Sequence, residues 1–370
     1  MNHPKTLPTL CVFLACLLGG APVSEAAYTK RALTRNSVPD EAPRINALGQ
    51  VAWLGFDGND FEVFLYREGA VTQLTNNDYA DRLLQINDAG QVAWVGDVAF
   101  GGGFNEIFFY NGLSTVRLTT NSWDDFSPVL NNQGQVAWHG FDGQDYEVFL
   151  YDGTQVVQLT DNAYNDGSPR INAAGQVVWA GYNPDGEVFL YDGQSVRQIT
   201  DNGVEDDDPV INATGTLAWN GFDGNDYEIY VYDGTIRQLT NNSFYDASPQ
   251  INASGQITWM GQPVDDGTVD MEVFLFNGTG ILRLTTNGIV NGGGLYSDMW
   301  PQINDNGFVV WNGGESQDEI FLYDGNSVQN ISQSVFADSS PQINNSGQVV
   351  WQAYGQDGDA EIILAAPRGP

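Results

Sequence analysis

The chain has 370 residues, and its 13 Lys and Arg against 47 Asp and Glu give a formal charge of −34. Such acidity excludes a nucleic-acid binder and an adhesin for anionic membranes, because both engage phosphates through basic patches. With 42% hydrophobic and 12% aromatic residues the chain can bury a large core, and its wealth of Gly, Asn, Asp and Thr suits short strands and tight turns better than helices.

Residues 1–26 read as a secretory signal peptide. Lys5 supplies the charged start, Leu10 to Leu18 the apolar stretch, and Val23-Ser24-Glu25-Ala26-Ala27 a small-x-small cleavage site. The stretch is too short and wrongly flanked for a membrane span, and no second long apolar run follows it. Phe13-Leu14-Ala15-Cys16 is a poor lipobox. Cleavage would remove Cys11, Cys16 and His3, leaving no thiol and His139 as the single imidazole. The expected destination is the periplasm or the extracellular medium, with stability drawn from a packed core rather than from disulfides.

Residues 27–370 read as one domain built from eight copies of one unit. Ile45-Asn46, Ile86-Asn87, Leu130-Asn131, Ile171-Asn172, Ile211-Asn212, Ile251-Asn252, Ile303-Asn304 and Ile343-Asn344 lie 41, 44, 41, 40, 40, 52 and 40 residues apart. Eight residues after each Ile or Leu comes a tryptophan: Trp53, Trp94, Trp138, Trp179, Trp219, Trp259, Trp311 and Trp351. A glutamate then opens an apolar run, as in Glu147-Val148-Phe149-Leu150-Tyr151; the others are Glu62, Glu106, Glu187, Glu228, Glu272, Glu319 and Glu361.

Each unit carries four strand signals: a short Ser-Pro-x-Ile, then Gln-Val-Ala-Trp, then Glu-Val-Phe-Leu-Tyr, then Val-x-Gln-Leu-Thr. Asn-x-x-Gly separates the first pair and Asp-Gly the last. Four strands in about 40 residues is the period of a β-propeller blade, and strands apolar on both faces fit sheets sandwiched between neighbours. The expected fold is all-β, an eight-bladed propeller of four-stranded blades. Arg31-Ala32-Leu33-Thr34 matches a fourth strand, whereas Glu361-Ile362-Ile363-Leu364 is a third strand with none behind it. The N-terminal strand should therefore complete the last blade and close the ring.

Segments such as Ser168-Pro169-Arg170-Ile171-Asn172, Gly186-Glu187-Val188-Phe189-Leu190-Tyr191 and Gln198-Ile199-Thr200-Asp201 resemble the WD-repeat-like propeller repeats of TolB-type proteins across residues 31–364. The chain departs from that family in having eight units, no N-terminal α/β domain, and Ile-Asn-x-x-Gly in place of Ser-Pro-Asp-Gly. The resemblance implies a periplasmic or extracellular propeller that binds something, without a Tol–Pal role.

Five residues before each Ile or Leu stands an aspartate: Asp40, Asp81, Asp125, Asp166, Asp206, Asp246, Asp298 and Asp338. Strand alternation puts these leading aspartates and the eight glutamates at the same end, here the upper face, which is expected to concentrate negative charge. The first reading of the recurring acids is architectural, tying loops to backbone N–H groups. The second is Ca²⁺ binding, with Asp57, Asp60 and Glu62, Asp142, Asp145 and Glu147, and Asp223, Asp226 and Glu228 as ligand sets. The third is attraction of a basic partner.

Aromatic residues two before the leading aspartate, including Tyr79, Trp123, Tyr164 and Tyr296, read as loop plugs or as platforms for a ligand. Trp123 and Trp300 are the two tryptophans outside the repeat position and the best individual ligand candidates, whereas the eight repeat tryptophans read as core. The insertions at Val98–Asn105, Gln262–Asp270 and Gly288–Ser297 read as glycine-rich spacers or added function. His139 follows Trp138 within a strand, so a Ser-His-Asp triad has little to draw on, and zinc sites of His and Cys are excluded.

The reading is an exported, non-enzymatic binding or scaffold propeller that recognises a protein or glycan through its upper face or central channel. The alternatives are a glycoside hydrolase or lyase using paired carboxylates and a Ca²⁺-stabilised structural surface protein.

Overall fold

A computed structural model describes residues 28–98, 103–263, 270–286, 298–314 and 317–368. Eight four-stranded antiparallel sheets follow one another around a ring, and the described residues contain no helix. The third blade is typical, with strands Asp125–Leu130, Val136–Phe141, Tyr146–Tyr151 and Val156–Gln158 running from the centre outwards. The first strand is longer than the Ser-Pro-x-Ile signal, because it starts at the leading aspartate.

Closure takes the expected form with a shifted register. The last sheet is ordered from Tyr28–Ala32 at its edge through Ala360–Pro367 and Val349–Tyr354 to Asp338–Ile343. Tyr28 faces Pro367 and Ala32 faces Ile363, so the closing strand begins three residues before the Arg31 expected from the repeat. Leu33 and Thr34 still hold Ile362, through Leu33 N to Ile362 O at 2.7 Å and Ile362 N to Thr34 Oγ1 at 2.9 Å.

The core lies in the layers between blades. Val136, Ala137, Trp138 and Val148 are all 0% exposed, and Trp138 stacks on Phe149 with ring centroids 5.8 Å apart. Ala137, Val148 and Leu150 in turn pack against Val177 and Trp179 of the next blade. Both faces of each middle strand are therefore buried, which is why the strand signals lack simple alternation. Truncation of one such tryptophan to alanine costs about 3–5 kcal/mol in comparable cores. The outermost strands are short and exposed, which limits edge pairing.

The recurrent Ile-Asn pair has a specific origin. Asn131 Oδ1 accepts the N–H groups of Gln133 and Gln135, fixing the turn, and Gly134 adopts the positive φ of 78° that this turn requires. The same side chain's Nδ2 donates to Asn172 O of the next blade at 3.0 Å. Asn46, Asn87, Asn172, Asn212, Asn252 and Asn304 repeat this link, and Asn344 donates to Asn46 O at 2.9 Å. Eight amides thus form one closed circle on the lower side of the ring. Asn131→Ala should lower unfolding free energy in urea by about 1–3 kcal/mol without changing the far-UV circular dichroism, since it orphans buried partners on two blades.

Candidate functional site

The innermost strands of neighbouring blades touch all the way round and so line the central channel. Each carries a bulge. The third residue from the leading aspartate has positive φ, at 50–57°, in Ala42, Leu83, Ser127, Ser168, Asp208, Ser248, Trp300 and Ser340, and the register shifts there, as between Phe126 and Val129. A non-glycine residue in this region is unfavourable unless its surroundings enforce it. The bulge re-aims the strand, and both third and fifth residues reach the channel.

There they enclose a cavity of about 350 Å³ lined by Arg44, Leu83, Gln85, Ser127, Pro128, Val129, Arg170, Gln250, Gln302 and Gln342. Below it the turns carrying Asn172, Asn212, Asn252 and Asn304 frame the lower mouth. Arg44 Nη1 donates to Pro43 O at 3.0 Å and Arg170 Nη1 to Pro169 O at 3.1 Å. Burial pulls both guanidinium groups below their ordinary pKa, opposed at Arg170 by the charge of Asp208. Trp300 occupies the same strand position as the cavity-lining Leu83 and Ser127 and is 57% exposed.

The recurring acids are inside the protein, which corrects the expectation that they charge the upper face. All eight leading aspartates are at most 3% exposed, and Glu62, Glu106, Glu147, Glu187, Glu228 and Glu272 are at most 6% exposed. Asp125 shows the arrangement: its Oδ1 accepts Trp138 Nε1 at 2.8 Å and its Oδ2 accepts Asn121 Nδ2 at 2.8 Å. Trp53, Trp94, Trp179, Trp219, Trp259 and Trp311 make the same indole bond within their blades. Each glutamate faces the leading aspartate of the following blade, as Glu62 faces Asp81 and Glu147 faces Asp166. The connecting asparagines join them; Asn162 N donates to Glu147 Oε1 at 2.8 Å while its Nδ2 donates to Asp166 Oδ2 at 2.5 Å. Burial raises the aspartates, to about 8 for Asp81, about 7 for Asp166, Asp246 and Asp298, and about 6 for Asp125, Asp206 and Asp338.

The sets Asp57, Asp60 and Glu62, Asp142, Asp145 and Glu147, and Asp223, Asp226 and Glu228 each bring three carboxylate oxygens within 4.8 Å of one another. In all three, the Oδ1 of the middle aspartate (Asp60, Asp145 or Asp226) is buried without a hydrogen-bond partner. An all-oxygen donor set with an unsatisfied carboxylate fits a hard cation such as Ca²⁺.

Among the aromatic candidates, Tyr79 packs on Phe108 at 6.0 Å and Tyr164 on Phe189 at 6.4 Å, as loop plugs. Trp123 is 41% exposed and edge-on to Phe141 at 5.2 Å, in the approach to the third blade. Trp300 belongs to the seventh blade, so the ring places these two tryptophans on opposite sides. Tyr296 lies outside the described residues, as do the whole of the insertion Gly288–Ser297 and parts of the other two. His139 sits between Phe126 and Tyr146, at 6.1 and 5.6 Å, and burial lowers it to about 4, so it is neutral at pH 7.

Sequence reasoning missed the channel arginines and glutamines, whose signal was chemical variation at the residue before each Ile-Asn or Leu-Asn pair. It also missed an upper-face cluster in which Tyr182 donates to Asp207 Oδ1 at 2.8 Å and Tyr227 meets Tyr245 edge-on at 5.5 Å.

Among solved structures, the chain is similar to the β-propeller domain of the trilobed protease from Pyrococcus furiosus, with TM-score 0.54 and 14% identity over 77% of this chain and 95% of that one. It is also similar to dipeptidyl peptidase 4 from Porphyromonas gingivalis, with TM-score 0.60 and 12% identity over 89% of this chain and 59% of that one. A puromycin-hydrolyzing peptidase from Mycobacterium tuberculosis gives TM-score 0.56 and 12% identity over 90% and 60%. The chain thus spans about three fifths of the length of the latter two proteins. At these identities the likeness shows the fold alone, that of a β-propeller. No protein-family model and no curated protein matches the chain.

The buried aspartates set the pH dependence of stability. Their folded pKa values lie above the unfolded value of 3.8, so the folded state holds more protons across that interval and their contribution is lost as pH rises through about 6–8. The melting temperature should therefore fall by about 5–10 °C between pH 5 and pH 8, and Asp81→Asn should flatten that slope in calorimetry.

Proposed function

We propose that this chain is an exported, non-enzymatic binding propeller of the TolB-type repeat class, and that its ligand, a glycan or a segment of a protein, seats in the central channel. The observation that carries this reading is where the repeat stops repeating. Leading aspartate, turn asparagine and repeat tryptophan recur in all eight blades; the asparagine bonds the next turn in every blade, and the aspartate accepts the indole N–H in seven of them. The fifth inner-strand residue instead varies among Arg44, Gln85, Val129, Arg170, Gln250, Gln302 and Gln342 around one cavity. Freed from the architecture, these side chains present polar groups to a concave pocket, the usual setting of a ligand site. The hydrolase or lyase reading is less well supported, because the recurring carboxyl pairs lie buried between blades, out of reach of a polysaccharide.

Gln250→Trp places bulk in the channel while leaving the blade interfaces intact. On a glycan array and an array of extracellular proteins, the full chain should capture a defined ligand and this variant should lose it at unchanged melting temperature. Depolymerisation of a polysaccharide by the full chain would overturn the reading.

The orphaned Oδ1 atoms of Asp60, Asp145 and Asp226 favour Ca²⁺ as a stabilising ion at the three upper loops. Millimolar Ca²⁺ should raise the melting temperature, by at least about 2 °C given stabilisation of the order of 1 kcal/mol. Combined Asp60→Asn, Asp145→Asn and Asp226→Asn substitution should abolish that rise; an equal rise with Mg²⁺, or one that survives the triple substitution, would count against the site.

A further inference from the structure

We infer that the central channel recognises a small polyhydroxylated carboxylate, a sugar acid of hexuronate size; this rests on the channel being the ligand site. The chain carries a net charge of −34, so an anion is repelled by most of its surface. In the channel two guanidinium groups, those of Arg44 and Arg170, stand against the one carboxylate, that of Asp208, among the third and fifth residues of the inner strands. Arg44 is half-buried and, among the described residues, takes part in no ion pair and has as its one hydrogen-bond acceptor the carbonyl of its own neighbour Pro43. Arg170 is placed likewise on Pro169 O, with Asp208 near enough to affect it but not within ion-pair distance. A guanidinium that keeps most of its donors free beside a cavity is matched by a carboxylate, which accepts two parallel hydrogen bonds from it.

The amides define the rest of the ligand. Gln85 and Gln250 line the cavity and make no hydrogen bond among the described residues, while Gln302 and Gln342 each donate to the preceding proline carbonyl at 3.1 and 2.9 Å, with no donor to their Oε1 among the described residues. Side chains that offer both donors and acceptors suit hydroxyl groups, which do both. Trp300, 57% exposed on the same set of strands, supplies an aromatic face of the kind on which a sugar ring stacks. A volume of about 350 Å³ lies at the small end of ligand pockets, which suits a sugar-sized molecule rather than a folded partner.

The test is isothermal titration of the full chain with glucuronate and galacturonate, with glucose and galactose as neutral counterparts and triglutamate as an acidic peptide. The uronates should bind at least about tenfold more tightly than the neutral sugars. Arg44→Gln and Arg170→Gln should each weaken uronate binding by about tenfold or more, as expected for loss of a charge-assisted contact. Both variants carry the residue that four other blades hold at this position, so the fold should persist, and an unchanged melting temperature checks this. Absence of uronate binding, equal affinity for uronates and neutral sugars, indifference to both arginine substitutions, or preference for triglutamate would overturn the inference. Neutral-sugar binding that Gln250→Trp abolishes would overturn the sugar acid but leave the channel as the ligand site, whereas uronate binding that survives Gln250→Trp would sink both.

Discussion

Everything in this molecule depends on joining eight sheets into a ring without leaving buried polar groups unpaired. The circle of asparagines does this on the lower side: each amide fixes its own turn through Oδ1 and reaches the next turn's carbonyl through Nδ2, ending with Asn344 on Asn46. On the upper side, glutamate, asparagine, aspartate and indole form a second set of links across blade boundaries, as from Glu62 to Asp81, Glu147 to Asp166, Glu187 to Asp206, Glu228 to Asp246 and Glu361 to Asp40. Between these two polar rims lie the tryptophan layers, which supply the burial. Hydrophobic packing is non-directional, so the rims are what set the spacing and angle of the blades.

The same arrangement changes the meaning of the acidic composition. Sixteen of the acids recur in pairs whose aspartates are buried, and burial shifts those aspartates towards the protonated form, to about 7 or 8 for Asp81, Asp166, Asp246 and Asp298. The formal charge of −34 therefore overstates the charge the folded protein displays. What remains outside is spread over upper loops such as Asp57-Gly58-Asn59-Asp60 and lower hairpins such as Asp152-Gly153 rather than gathered on one face. Against that background two channel arginines carry weight out of proportion to their number.

Much of the fold was legible because the signals were local and repeated. Asn-x-x-Gly and Asp-Gly name their turns, the spacing from Ile to Trp fixes two strands, and the unpaired third-strand pattern at residues 361–364 required an N-terminal partner. One signal passed unread: a glycine two residues after most repeat tryptophans. A Cβ on Gly140 would lie 2.0 Å from Asp125 Oδ1, so glycine there makes room for the carboxylate that accepts the indole N–H. The eighth blade has Ala353 instead, and there neither Trp351 Nε1 nor the oxygens of Asp338 find a hydrogen-bond partner.

The sequence by itself determined the blade number, the strand order within each blade and the manner of closure, because these follow from patterns complete within about 40 residues of chain. Tertiary structure alone decided which side of the molecule each acid serves and what faces the channel. Asp166 has Glu147 beside it only because one blade packs on the next, and Arg44, Arg170 and Gln250 share a cavity only because eight bulged strands converge on one axis. Convergence of that kind is a property of the closed ring, to which each repeat contributes at most a few side chains of its innermost strand.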